Sequence, residues 1–197
     1  MEKVFKNKKL AYVLIGILCA LQLTQSIANW VGGGFNGGSL ILCILMLVLL
    51  VLVGVGIEKK NKLLTIVSGV SILSVVIYAV STDVSGIIKR AIDGNVPVAG
   101  TVASAFTSIG ALLLIGCLIL IILRTFKINK NLSVINTVFS VIAAIAFFVP
   151  VITMFCGMLY NSQYTASYKT FSVARDFFVA FIALLVPCVW YQVDAKE

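Results

Sequence analysis

The sequence predicts an all-α integral membrane protein, a single domain over residues 1–197 built as a bundle of six transmembrane helices. Hydrophobic residues make up 61% of the chain and charged residues 11%, whereas soluble domains are about half apolar and about a quarter charged. Ser39–Ile57 holds no charged side chain, and about 20 apolar residues in a helix cross the hydrocarbon core of a bilayer. Lysines follow directly at positions 59, 60 and 62. Short loops rich in lysine and arginine stay in the cytoplasm, which orients this span.

Five other segments have the length and apolar character of a span. The six predicted spans cover about residues 10–30, 39–57, 63–81, 99–123, 134–160 and 173–193. The second is the most evenly apolar, so we expect it to face lipid over much of its circumference. Glycine-rich residues 31–38 are expected to form a turn, because no strand precedes them as in a phosphate-binding loop. Pro150 is expected to kink the fifth span by removing one backbone hydrogen bond.

The distribution of basic residues predicts that both termini are cytoplasmic and that the protein lies in the cell membrane. Of the 15 lysines and arginines, eleven fall in segments predicted to be inside and four in segments predicted to be outside. The basic N-terminus also fits a secretory signal peptide cleaved after Ala28. We favour an uncleaved first span, because its uncharged stretch continues to Trp30, a residue suited to the far interface. Val84–Ile92 is predicted to be a short amphipathic helix in the outer interface between spans three and four.

The composition argues against catalysis, cofactor binding and nucleic-acid binding. The chain has no histidine, which removes the usual general base and many metal sites. Its five cysteines show no metal-ligand spacing and are expected to pack as small apolar residues. The net charge of +8 comes from short clusters at helix ends, which suits contact with anionic lipid rather than nucleic acid. We therefore expect a protein that is not an enzyme and holds no metal or cofactor.

Polar side chains within the spans supply the candidate ligand-binding residues. These are Gln22, Gln25, Asn29, Ser71, Ser74, Tyr78, Ser104, Ser108 and Arg175. Residues three and four apart share one helical face, so the polar faces of spans one and three are expected to look inward. Most of these groups fall in the predicted outer half, which interhelical hydrogen bonding alone does not explain. We therefore expect an outward-facing polar cavity with residues 84–92 as a partial lid.

Two further features of the spans predict how closely the helices pack and which residues the charged side chains contact. Gly100, Ser104 and Ser108 recur every four residues on span four, a pattern that lets helix backbones approach closely in lipid. Arg175 is the charge nearest the hydrocarbon. Adjacent residues do not face each other on a helix, so Arg175 and Asp176 are expected to contact different neighbours.

Two functions are consistent with these features. The first is a small-solute binding or transport component that takes a neutral or anionic solute. The second is an accessory, assembly or protective subunit that packs against a partner membrane protein, with the polar residues serving as interhelical hydrogen-bonding groups. In size and six-span topology the chain resembles the substrate-binding subunits of energy-coupling-factor vitamin transporters, with Gly16 and Ala20 as the small pair on the first helix. The resemblance implies solute binding together with a partner subunit.

Overall fold

The computed structural model describes residues 2–92, 98–125, 132–160 and 165–194, and every regular element in this part of the chain is an α-helix. The helices are α1 (Glu2–Phe5), α2 (Lys8–Gly33), α3 (Gly37–Glu58), α4 (Lys62–Ile92), α5 (Val98–Thr125), α6 (Leu132–Tyr160) and α7 (Ala166–Asp194). Six of them, α2 to α7, are long and apolar enough to cross a membrane. The prediction of a helical, multi-pass membrane protein is confirmed.

Two helices extend further than predicted. Helix α4 runs through residue 92 without a break, so residues 84–92 continue the same helix instead of forming a separate one. Their position relative to the bilayer stays a prediction. Helix α7 begins at Ala166, before the predicted start of the sixth span at about residue 173, and Tyr168 and Lys169 lie in its first turn. The Tyr168 backbone N–H donates to Thr165 Oγ1 at 3.2 Å, which caps the helix and explains the early start.

Asparagine side chains cap three other helices at their N-termini. The Oδ1 atoms of Asn7, Asn36 and Asn61 accept backbone N–H groups at 3.0, 2.8 and 3.1 Å. Helices α3 and α4 pack closely beside the Asn61 cap. A Cβ atom on Gly56 would lie only 2.9 Å from the Thr65 backbone nitrogen. Short polar side chains thus fix where helices begin, and a glycine fixes how closely two of them meet.

Helix α7 lies at the centre of the bundle. It packs most extensively against α2 and α6 and also reaches α3, α4 and α5, while α2 to α6 follow one another around it. Of its candidate span 67% is buried, compared with 28–39% for the other five. Helix α3 exposes a broad apolar face that includes Ile41, Ile44 and Val48. This exposed face agrees with the expectation for the second span, whose contact with lipid stays a prediction.

The bundle has two distinguishable ends. We call the end that holds α1, the start of α2 and the end of α7 the termini end; there the Lys6 ammonium lies 6.0 Å from the centre of the Tyr191 ring. The opposite end is the far end. There a Cβ atom on Gly32 would lie 3.0 Å from the Ser167 Cβ, so α2 and α7 run antiparallel over their whole length.

Helices α5 and α6 pack through phenylalanine rings set against glycines. A Cβ atom on Gly110 would lie 2.8 Å from the Phe147 ring, and one on Gly116 would lie 3.0 Å from the Phe139 ring. Ser108, from the predicted small-residue ridge, is half-buried, whereas the surroundings of Gly100 and Ser104 lie outside what the structure describes. The close approach that the structure describes on α5 therefore occurs at its glycines.

Candidate solute site between helices α2 and α7

Two glutamines on α2 hydrogen-bond to each other and to a buried serine. Gln22 is only 5% exposed, and its Nε2 atom donates to Ser26 Oγ at 3.4 Å. Gln25 Nε2 in turn donates to Gln22 Oε1. The steps of three and four residues place all three side chains on one helical face. These amides therefore find partners within a single helix.

Arg175 and Asp176 form an ion pair on α7. The Arg175 Nε and Nη2 atoms each donate to Asp176 Oδ1 at 3.2 Å, and the two side chains are 34% and 13% exposed. The expectation that they contact different neighbours was wrong, because the long arginine side chain bends around the helix to reach the adjacent carboxylate. The guanidinium also lies 5.9 Å from the centre of the Phe171 ring.

The ion pair lies at the same height in the bundle as the glutamines. Helices rise 1.5 Å per residue, so Gln25 and Gln22 lie about 10 and 15 Å along α2 from the contact between Gly32 and Ser167, and the ion pair lies about 12–14 Å along α7. Because α2 packs against α7, these groups form one layer at the same height on two neighbouring helices. We call it the α2–α7 polar layer, and its members are Gln22, Gln25, Ser26, Arg175 and Asp176.

The ion pair of this layer lies on a helix that is otherwise suited to hydrocarbon. The candidate span of α7 covers Ala166–Tyr191, and the ion pair falls about three turns into it. Ionisable side chains are costly within a bilayer, face the protein interior or a water-filled cavity, and commonly mark solute or ion pathways. An ion pair at this depth, on the most buried helix, is therefore a candidate functional feature.

The remaining predicted site residues do not join this layer. Asn29 and Ser74 are exposed, and Tyr78 is 71% exposed. Half-buried Ser71 donates through Oγ to the Val67 carbonyl at 2.8 Å. Within the described residues α2 packs against α3 and α7 and not against α4 or α5, so the polar faces of the first and third spans do not converge. The expectation that the third span turns this whole face inward was wrong for Ser74 and Tyr78.

Buried polar side chains also lie outside the far half, at positions that the sequence analysis did not single out. Five buried polar side chains lie near the termini end, namely Thr65, Ser68, Asn136, Thr137 and Ser140. Among them, Thr137 Oγ1 donates to the Tyr191 hydroxyl at 3.2 Å, which links α6 to α7. The three- and four-residue spacing of these residues was visible in the sequence and indicates a buried polar face on α4 and on α6.

A group of aromatic rings near the ion pair was not predicted. The Phe148 ring on α6 lies edge-on to the rings of Phe177 and Phe181 on α7, with centres 5.8 and 6.1 Å apart. Phe177 and Phe181 are one helical turn apart, and this spacing was the signal in the sequence that could have predicted a shared aromatic face. These rings make α7 pack firmly against α6 immediately beside the α2–α7 polar layer.

A small cavity lies between α4, α5 and α7, away from the polar layer. Its volume is about 20 Å³, and its lining is entirely apolar. It is lined by Ile66, Gly69, Val70, Ile72, Leu73, Ile121, Ile182, Leu185, Val186 and Val189. None of the predicted ligand-binding residues contributes to it. An apolar space of this size offers no hydrogen bond to a polar solute.

No protein-family model, curated protein or solved structure matches this chain.

Proposed function

We propose that the protein is a non-enzymatic component of the cell membrane that binds or transports a small solute, with the α2–α7 polar layer as its binding site. The observation that supports this proposal is the ion pair of Arg175 and Asp176 in the central helix, level with two glutamine amides on α2. Packing alone does not require charges inside the span of the most buried helix, and charges placed there commonly serve a solute or ion pathway.

The chemistry of the layer favours a neutral solute over an anionic one. The guanidinium is bound to the neighbouring carboxylate at 3.2 Å, so the two charges offset each other. The glutamine amides and the guanidinium donate hydrogen bonds, while the amide oxygens and the carboxylate accept them. A small molecule with both carbonyl and N–H or O–H groups would match this set. The Phe171 ring, 5.9 Å from the guanidinium, would add an apolar contact for the solute beside Arg175.

The direction of access follows from the charge distribution. Eleven of the 15 basic residues fall in the terminal segments and in the loops that join the spans at the termini end, which supports a cytoplasmic termini end. The far end is then outside the cell. Because the polar layer lies about 10–15 Å from the far end, a solute would enter it from outside.

Ligand-induced thermal stabilisation tests the proposal. Purified protein would be heated with a panel of small neutral and anionic solutes, together with the variants Gln25→Leu and Arg175→Gln. We expect a neutral solute to raise the melting temperature of the native chain and of Ser74→Val, a matched control outside the layer, but not of the two layer variants. A solute that stabilises all of these chains equally would show that the layer is not its site.

A second candidate function, an accessory subunit bound to a partner membrane protein, is favoured by one specific observation. Gly16 and Ala20 are exposed one turn apart on α2, and a Cβ atom on Gly16 would meet nothing within 4 Å. Small residues at this spacing allow another helix to approach closely. Under this function Gly16→Leu would abolish co-purification of a membrane partner, whereas Val13→Leu would not; equal recovery with both variants would count against it.

A further inference from the structure

Asn136 is a buried amide without a hydrogen-bond partner. The residue is 0% exposed, and within the described part of the chain neither its Oδ1 nor its Nδ2 atom has a partner. A buried amide that makes no hydrogen bond is unfavourable, so nearly all such groups are bound to protein or to ordered water. The Asn136 amide is therefore expected to have a partner that the described side chains do not supply.

The surroundings of Asn136 are polar on three helices. Ser140 lies one turn further along the same face of α6, and its Oγ atom is 3.3 Å from the Cys117 Sγ atom on α5. Cys117 Sγ also lies 3.8 Å from the Asn136 carbonyl oxygen. On the other side, Thr137 binds the Tyr191 hydroxyl of α7 at 3.2 Å. Hydroxyl and thiol groups of α5, α6 and α7 thus form a polar cluster at the level of Asn136 in the bundle.

We propose that this cluster is a binding site for an internal water molecule, which hydrogen-bonds both atoms of the Asn136 amide. Water donates two hydrogen bonds and accepts two, so it can accept from Nδ2 and donate to Oδ1 and still bind a neighbouring hydroxyl. Internal waters make about three such bonds. The complete burial of Asn136 favours water over any larger ligand. The site lies at the termini end and does not depend on the proposed solute site at the other end of α7.

The apolar cavity between α4, α5 and α7 provides a contrast within the same protein. Its volume of about 20 Å³ is large enough for one water, but its lining offers no polar atom. Water is therefore expected beside Asn136 and not in that cavity. Polar partners, rather than space alone, decide where water enters this bundle.

Water-edited solid-state nuclear magnetic resonance in lipid bilayers tests this site directly. The only Asn-Thr pair in the sequence is Asn136–Thr137, so ¹³C,¹⁵N-asparagine combined with ¹⁵N-threonine labelling assigns the Asn136 amide without any substitution. We expect magnetisation to pass from water to the Asn136 side-chain NH₂ group, as it does to exposed Asn61. No transfer to Asn136, with transfer to Asn61 intact, would overturn the proposal.

A substitution provides an independent measurement. Replacing an amide that has no partner with an apolar side chain of similar size should raise the melting temperature, whereas replacing a water-bound amide should lower it. We expect Asn136→Val to lower the melting temperature by on the order of 3 °C, with Ile135→Val on the exposed face as the control. A rise in the melting temperature of Asn136→Val would mean that the amide binds no water.

Discussion

The ion pair on α7 should be energetically coupled, and a double-mutant cycle measures the coupling. Breaking a fully buried pair by removing one partner costs about 3–5 kcal/mol, while an exposed pair contributes about 0–1 kcal/mol. Arg175 is 34% exposed and Asp176 13%, which places this pair between the two limits. We expect Asp176→Asn to lower the free energy of unfolding by about 1–3 kcal/mol, because it leaves the guanidinium partly buried without its carboxylate.

The cycle compares Asp176→Asn, Arg175→Gln and the double variant by reversible unfolding in mixed micelles. If the two side chains act as a pair, the second substitution should cost little once the first is made, giving a coupling energy of about 1–2 kcal/mol. Arg175→Gln alone should lose at least as much as Asp176→Asn, because the carboxylate that it leaves is the more buried of the two charges, 13% exposed compared with 34%. Strict additivity of the two single changes would refute the conclusion that this contact stabilises the fold.

Three further predictions concern packing and capping. Gly56→Ala should lower the free energy of unfolding by about 1–3 kcal/mol through overpacking against α4. Gly16→Ala, whose Cβ meets open space, should be neutral or stabilising by up to about 1 kcal/mol in the same micelle assay. Equal effects of the two substitutions would contradict the close contact at Gly56. Thr137→Val should cost about 0.6–1.7 kcal/mol by removing the hydrogen bond from α6 to α7, and no change would show that the bond contributes nothing. Thr165→Ala should speed amide hydrogen exchange in the first turn of α7, because the cap contributes about 1 kcal/mol; unchanged exchange would show that another group holds that turn.

The helices could be predicted because the length and apolar character of a span depend on sequence alone. Which helix becomes the central one could not be predicted in the same way. Helix α3 is the most apolar, yet it lies at the periphery, whereas the less apolar α7 is the most buried. Lipid tails are as apolar as a protein interior, so a strongly apolar helix gains little by being buried within the bundle. Overall hydropathy therefore does not indicate burial. Only the packing of all the helices shows that α7 is surrounded.

The candidate site could be predicted only in part, because sequence spacing describes one helix at a time and not how the helices pack. Spacing correctly placed Gln22 and Gln25 on one face, because that depends on a single helix. Spacing could not show how each helix is rotated about its axis, so Ser74 was expected inside and lies outside. The contact between Arg175 and Asp176 depends on the reach of a long side chain, which a rule about Cβ directions does not include.

The measurement that tests the account most directly is the accessibility of the α2–α7 polar layer to water-soluble reagents. In a chain whose native cysteines are replaced, Gln25→Cys should react with a membrane-impermeant thiol reagent added outside intact cells, because the layer is proposed to open to the far side. Ile27→Cys, on the exposed side of the same helix with 52% exposure, is expected to face lipid and should not react. Labelling of Gln25→Cys only from the cytoplasmic side, or no labelling from either side, would contradict the proposed outward-facing site.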